Sequence, residues 1–455
     1  MSRLSRAFAS KAAVSVNFGR GGLYAAQLVL NAVSAYAFQK AIAFHFGASA
    51  DKSAFDIAFS IPFFLVYASG LGMTHSIVVV LFSREECQRD PALASRRFST
   101  LLNLTLLVLG ALSVLVASLA TPLAAMMAPG LPVELQSQVS NLTLALLPLS
   151  VTFGVGSFLS AVAVAYRIPL SQEIVLLAGR VFVVAWMLTT IGDVSLLKTS
   201  VMFVVATALA VLGLWLAVRR HTPLRYRLLV DLGETEVRHA LHQFAGFMVV
   251  AAVGQFAAAY TRRVATLIEP ALVATIGFAA SLLEPAGTIL GKSVMYVWGD
   301  RLMAVRADSR SATGRSGGGD LTRLLGLGFV VAGLLALALH VAMPALVALL
   351  FGGGAFDARA IDATTSVGRL MVAQLPFHLV TWLVLYPLLG MFRQAAAVTY
   401  LIGYATQIVF VWAFAPSLGA SGLALSYPAF TAMQALCGVV LIAWAWRRAG
   451  RAGEG

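Results

Sequence analysis

The chain has 455 residues, 60% of them hydrophobic and 11% charged, with a mean hydropathy of +0.87. Soluble domains carry roughly a quarter charged residues, so this composition excludes an ordinary globular protein and points to a polytopic membrane protein. The net charge of +13 does not indicate nucleic acid, because the basic residues lie mainly in polar breaks between apolar stretches. The two cysteines, Cys87 in a polar break and Cys437 in the last apolar stretch, suggest neither a disulfide nor a metal framework.

Arg3, Arg6, Lys11 and Arg20 precede the first apolar run, and Ala48-Ser49-Ala50 imitates a signal-peptidase site. The leading polar region is too long for a signal peptide and the run is a full span, so an uncleaved first helix is expected. Apolar runs of about 20 residues, the length that crosses a bilayer as a helix, predict spans at 21–39, 54–82, 99–122, 141–165, 174–191 and 199–218, then at 244–261, 271–298, 322–350, 366–390, 395–414 and 421–446. The expected fold is therefore all-α, with about twelve transmembrane helices in two six-helix lobes around a central cavity. Residues 1–218 form the N-terminal lobe and 244–455 the C-terminal lobe. Between them lies the strap 219–243, RRHTPLRYRLLVDLGETEVRHALHQ, whose alternation of Leu228, Leu229, Val230, Val237, Ala240 and Leu241 with Arg225, Arg227, Arg238 and His239 predicts a helix lying in the cytoplasmic interface.

Orientation follows from the retention of Lys and Arg on the cytoplasmic side. With the N-terminus inside, 23 basic residues fall in cytoplasmic segments and six outside: Lys40, Lys52, Lys198, Arg262, Arg263 and Arg359. Both termini are predicted to be cytoplasmic. The halves echo one another weakly, in external Gly-rich turns after each third span (Met126 to Pro132, Leu349 to Ala358) and in the aromatic-Arg steps Tyr166-Arg167 and Phe392-Arg393 that end each fourth span. Such repeats are common in secondary transporters. The segment Ala307 to Asp320, ADSRSATGRSGGGD, lacks the Lys-Ser/Thr of a phosphate loop and is expected to be a flexible linker. His239 and His242 share a helix face without a further ligand nearby, which suggests an interfacial helix and not a metal site.

Ionisable groups in a hydrocarbon layer usually face a cavity or a partner. Asp56, Glu173, Arg180, Glu284, Lys292 and Arg369 fall inside predicted spans. Lys40, Asp56, Arg180, Glu284, Lys292, Arg369 and the polar Gln374, with His378 one turn on, are the candidate cavity residues. Prolines within spans free backbone carbonyls, which makes Pro62, Pro285, Pro376 and Pro387 candidate hinges.

Several short motifs recur in order: Phe55-Asp56-Ile57-Ala58-Phe59-Ser60-Ile61-Pro62, Ala128-Pro129-Gly130, Tyr166-Arg167-Ile168-Pro169, Leu349-Leu350-Phe351-Gly352-Gly353-Gly354-Ala355-Phe356-Asp357 with Thr364 and Thr365, and Leu418-Gly419-Ala420-Ser421-Gly422-Leu423-Ala424. In these the chain resembles the MurJ (MviN) family of lipid II flippases, within the superfamily that also holds multidrug and polysaccharide exporters. The resemblance implies a non-enzymatic transporter of the bacterial inner membrane. Its substrate would be a polyprenyl-diphosphate-linked saccharide, either lipid II or an exopolysaccharide or envelope glycan precursor. It implies no bound cofactor or metal, a coupling cation such as H+ or Na+, and membrane lipids and glycan-synthesis proteins as partners, with no nucleic acid. Where the family places an arginine pair after the motif proline, this chain has Leu65-Val66-Tyr67, and the family's Asp-Arg-Leu step is Ala280-Ser281-Leu282, with the following acid present as Glu284. The family's first-span arginine is also replaced by apolar residues, with Lys40 nearby, so Arg180 and Lys292 are the expected substitutes at an anionic head group. Many members carry two further C-terminal helices beyond the twelve counted. The alternatives are a cation-coupled exporter of small amphipathic molecules and a non-transporting accessory of a glycan-synthesis complex.

Overall fold

A computed structural model describes residues 27, 29–68, 74–168, 173–190, 194–287, 291, 315–391 and 393–452. The described residues are almost wholly α-helical, and their one β-type pairing is an isolated bridge between Gly353 and Phe356. In chain order the helices are α1 (29–46), α2 (Ala50–Ala68), α3 (Thr74–Ser83), α4 (Glu85–Arg89), α5 (Pro91–Ser118), α6 (Ala120–Met127), α7 (Val133–Leu146), α8 (Pro148–Ala165) and α9 (Glu173–Thr189). They continue as α10 (Leu196–His221), α11 (Thr235–Ile268), α12 (Leu272–Gly287), α13 (Arg315–Phe351), α14 (Ala358–Met371), α15 (Gln374–Met391), α16 (Arg393–Leu418) and α17 (Ala420–Ala452). Seven single stretches among them are long and apolar enough to cross a membrane, and α14 with α15 gives an eighth if that bent pair counts as one span. The exposed side chains of α13 show why water is the wrong solvent. Leu327, Val330, Leu334, Leu337 and Val341 line one exposed face at helical spacing, which hydrocarbon satisfies and water does not.

The helices group into two compact units. The first comprises Met1–Ala41, Ala58–Ala120 and Ser140–Val249; the second comprises Ile42–Ile57, Thr121–Val139 and Val250–Gly455. Two segments from the first half of the sequence thus group with the second unit, while the strap groups with the first.

In the first unit the strap is a correction to the sequence reading. Residues 222–234 are non-helical, and helix resumes only at Thr235. The reason lies on α5, where Ser95, Ser99 and Asn103 recur every four residues. Ser95 Oγ accepts from Arg225 N (2.9 Å), Ser99 Oγ accepts from Arg227 N (2.9 Å), and Asn103 Nδ2 donates to the Leu229 carbonyl (2.9 Å). Four helical residues rise about 6 Å and two extended residues about 6.6 Å, so helix and strap stay in register over the ladder. Thr100 Oγ1 adds a bond from Asp231 N (3.1 Å), and the Tyr226 hydroxyl donates to Asn103 Oδ1 (2.7 Å). An amphipathic pattern alone cannot anticipate this, because backbone groups of an extended segment need partners from another element.

Below the strap, Arg97 is buried. Its Nε donates to Glu234 Oε1 (2.6 Å), and its Nη1 to the Sγ of buried Cys87 (3.2 Å). Burial pushes the Cys87 thiol above its ordinary pKa, with Arg97 pulling the other way. Deeper in the unit, Phe38, Phe203, Phe59, Phe63 and Phe153 form a chain of ring contacts with centroids 4.7–5.6 Å apart. The α8 terminus carries the Tyr166-Arg167-Ile168 step. Arg167 takes a positive φ of 60°, Arg167 N donates to the Val164 carbonyl, and Ile168 N donates to the Ala163 carbonyl. This is the 6→1 and 5→2 pair that ends a helix through a left-handed residue, a place usually held by glycine.

In the second unit α17 packs on α15 and α16, and α13 on α15, around a core of Leu379, Leu383, Val384, Leu388 and Ala435. The tenth predicted span is broken. α14 and α15 meet at a 42° bend, with Asp357 capping the start of α14 through a bond from Ala360 N (2.8 Å). Pro376 lies in the first turn of α15, where a missing N–H leaves no helical bond unmade, so it sits at a helix start and not inside one. Arg369 accordingly belongs to the last turn of α14, exposed, with Nε donating to the His340 carbonyl (3.3 Å). By contrast α2 runs unbroken through Pro62, Pro285 lies near the end of α12, and Pro387 lies in the last turns of α15. Helix α13 begins at Arg315, so the tail of the expected linker 307–320 is helical and its remainder lies outside the described residues. Lys292 lies outside them too.

Candidate functional site

Three of the family-like motifs contribute to one region of the second unit: the start of Phe55–Pro62, Ala128-Pro129-Gly130 and Leu349–Asp357. Ser49 Oγ accepts from Lys52 N (3.2 Å), a capping bond that starts α2 early enough to carry Lys52 inside a helix. Gly47, at φ +62°, lies against the Ala355 carbonyl, and Gly354, at φ +59°, lies against the Phe44 carbonyl. Each leaves no room for a Cβ, since a methyl there would stand 2.3 Å from the facing oxygen. The Phe44 carbonyl also accepts from Ala355 N (2.8 Å). Gly130 of Ala-Pro-Gly lies closer still to the Thr266 carbonyl near the end of α11. The tight Gly352–Gly354 turn brings Phe351 and Phe356 onto Phe278 of α12, with centroids 5.1 and 5.0 Å away.

Above that aromatic floor sits Lys52, 2% exposed, with its ammonium 5.0 Å from the Phe278 ring centroid and 5.5 Å from that of Phe55. Its charge is met by Asp56 one turn on, through an ion pair at Oδ1. The other carboxylate oxygen, Oδ2, is buried and has no hydrogen-bond partner among the described residues. It faces Gly277, where a Cβ would stand 2.9 Å from it. Beside the pair, Ser53 Oγ accepts from Ala274 N (3.1 Å). Arg262 lies within electrostatic reach of Asp56 and of Tyr427, and Glu284 within reach of Tyr427. Arg263, next in sequence, donates to the Met126 carbonyl at the end of α6, where a cation suits the helix dipole.

The cluster is thus the Lys52–Asp56 pair above an aromatic floor, with Arg262 within electrostatic reach of Asp56 and one carboxylate oxygen without a hydrogen-bond partner among the described residues. Such a site suits a protonation or small-cation event better than it suits a polyanion. Of the residues expected from sequence, Asp56 belongs to it, while Glu284 is exposed on α12 and within electrostatic reach of Tyr427. Arg180 is held in the first unit, where its Nη1 donates to Asn31 Oδ1 (2.9 Å). Lys40 is half-buried in α1, Gln374 is half-buried at the start of α15, and Arg369 is engaged with α13. Lys52, Arg262 and Tyr427 were missed. Lys40, Lys52 and Arg262 were assigned to external loops, whereas all three lie within helices that outrun the apolar stretches. The Lys52/Asp56 spacing of four was the available signal. Leu65 and Val66, at the family's arginine positions, are buried, and Tyr67 is exposed. Among the described residues no group of three or more His, Cys, Asp or Glu forms a metal site.

The apolar helices of bilayer length define a multi-pass membrane protein. The model of the family described as "Lipid II flippase MurJ" matches residues 42–454, and the chain belongs to that family, whose members are flippases and not enzymes. Among solved structures, the fold is similar to lipid II flippase MurJ in an inward closed conformation, at 15% identity and TM-score 0.76, covering 94% of this chain and 90% of that one. It is also similar to an inward-facing multidrug resistance MATE family transporter of the MOP superfamily (13% identity, TM-score 0.70, 92% and 95% covered). A third similar structure is a MOP superfamily transporter from Pyrococcus furiosus described as having a binding pocket of reverse polarity (12% identity, TM-score 0.64, 93% and 96% covered). No curated protein sequence matches the chain significantly.

Proposed function

We propose that this protein moves a polyprenyl-diphosphate-linked saccharide across the bacterial inner membrane by alternating access, with both termini cytoplasmic. The observation that carries the reading is the family match over 42–454. In this proposal Arg180, Lys40 and Lys292 supply positive charge to the diphosphate in place of the family's arginines, and Gln374 and Arg369 contribute polarity to the substrate path. Pro62, Pro285, Pro376 and Pro387 mark the places where helices bend or restart during the cycle. The Lys52–Asp56 pair, with Arg262 in reach, serves coupling: a proton or small cation at Asp56 competes with Lys52. Glycan-synthesis enzymes are the expected protein partners. The test is complementation of a strain depleted of its lipid II flippase. Growth identifies lipid II as a substrate, whereas death with well-expressed, membrane-inserted protein excludes it and leaves another lipid-linked glycan.

The open oxygen of Asp56 favours one alternative, a cation-coupled exporter of small amphipathic molecules. The two readings separate on paired variants. Loss of transport in both Arg180→Gln and Asp56→Asn supports the anionic substrate, and loss in Asp56→Asn alone supports the exporter.

A further inference from the structure

The first unit holds a second candidate site, remote in kind from the coupling cluster. Where α10 ends and the strap begins, a cavity of about 830 Å³ opens, within the range of roughly 300–1,000 Å³ typical of small-molecule sites. Its apolar wall is Phe98, Trp215, Leu224 and Tyr226, and its polar wall includes Arg219 and Arg225. The rings support one another, with Phe98 and Trp215 centroids 5.8 Å apart and Trp215 edge-on to Tyr226 at 5.7 Å. None of the lining residues is acidic.

Arg84, Arg89, Arg96 and Arg97 are each paired with a carboxylate, of Glu236, Glu85, Asp231 and Glu234 respectively. Arg219 and Arg225, the two that line the cavity, form no ion pair among the described residues. Arg225 is held in place by its backbone N–H on Ser95 and lines the cavity. One turn before Arg219, Leu216 is exposed, as are Leu212 and Leu209 further back. The mouth therefore lies where an apolar helix surface gives way to a basic one, the level at which aromatic residues settle at a bilayer boundary.

Two guanidinium forks and an aromatic wall at that level match a phosphodiester carried on an acyl chain. We propose that this cavity binds the head group of an anionic phospholipid, with phosphate on Arg219 and Arg225 and the glycerol against Trp215 and Tyr226. The lipid would fix the strap-bearing end of the unit at the membrane surface. This inference is independent of which substrate the protein carries.

The experiment is a detergent-solubilised thermal unfolding series with short-chain phosphatidylglycerol, the matched phosphatidylcholine and inorganic phosphate as probes. Phosphatidylglycerol should raise the unfolding midpoint saturably in the wild type and in the charge-matched control Arg220→Gln, whose side chain is not part of the lining. Its apparent affinity should fall about tenfold or more in Arg219→Gln/Arg225→Gln, which removes two cations near the surface. Equal response in the double variant, or equal response to phosphatidylcholine or free phosphate, overturns the proposal. A second measurement needs no folded double variant. Brominated-chain phosphatidylglycerol should quench the wild-type fluorescence, and the quenching component should vanish in Trp215→Phe; unchanged quenching in that variant counts against the site.

Discussion

In the first unit, inward charges are held by partners far along the chain. Arg97 reaches Glu234, 137 residues away, and Arg180 reaches Asn31, 149 residues away. In the second unit, Lys52 is held by Asp56, four residues on. The first arrangement exists only once α5 and the strap are assembled, whereas the second needs one turn of α2 and is completed by an aromatic floor from elsewhere. The contrast bears on function, because a local pair can open and close without dismantling a fold, and a long-range node cannot.

The largest effect is expected from Lys52→Met. It leaves Asp56 buried without its cation, and breaking a buried pair from one side costs about 3–5 kcal/mol. The unfolding midpoint in detergent should drop accordingly, and Lys52→Met/Asp56→Leu should recover most of the loss. A double variant as unstable as the single would mean that the lysine stem on its aromatic floor, and not the pair, supplies the stability.

Arg97→Met in the first unit should destabilise by about 2–3 kcal/mol, the scale of lost hydrogen bonds to a charged group. The loss should be accompanied by release of the strap, read as proteolysis within 222–234. A compact, protected strap in that variant would show that the Ser95, Ser99 and Asn103 ladder holds it alone. Asn103→Ala then tests the ladder itself, with an expected cost of about 1–2 kcal/mol and faster amide exchange at Leu229 than at Arg225, whose bond goes to Ser95.

The smallest effect is chemical. Burial raises the Cys87 pKa against the pull of Arg97, so less thiolate is present at pH 8 than for a free cysteine, and alkylation should be slower with its pH midpoint displaced upward. A midpoint at or below that of a free thiol would show that the guanidinium dominates.

The sequence by itself determined the solvent of this protein, its all-helical class and the family motifs, because apolar runs of bilayer length and short glycine-rich turns are local properties. It also held the Lys52/Asp56 spacing, although hydropathy placed Lys52 outside the span. Only the tertiary structure decided that residues 222–234 leave the helix, because their backbone partners sit on α5, or that the tenth apolar stretch breaks before Gln374 and sends Arg369 to another helix. It alone revealed the floor of Phe278, Phe351 and Phe356 beneath Lys52 and the cavity that Arg219 and Arg225 line. Each of these depends on which distant groups meet, and hydrogen bonding and charge pairing across a fold leave no period in a sequence.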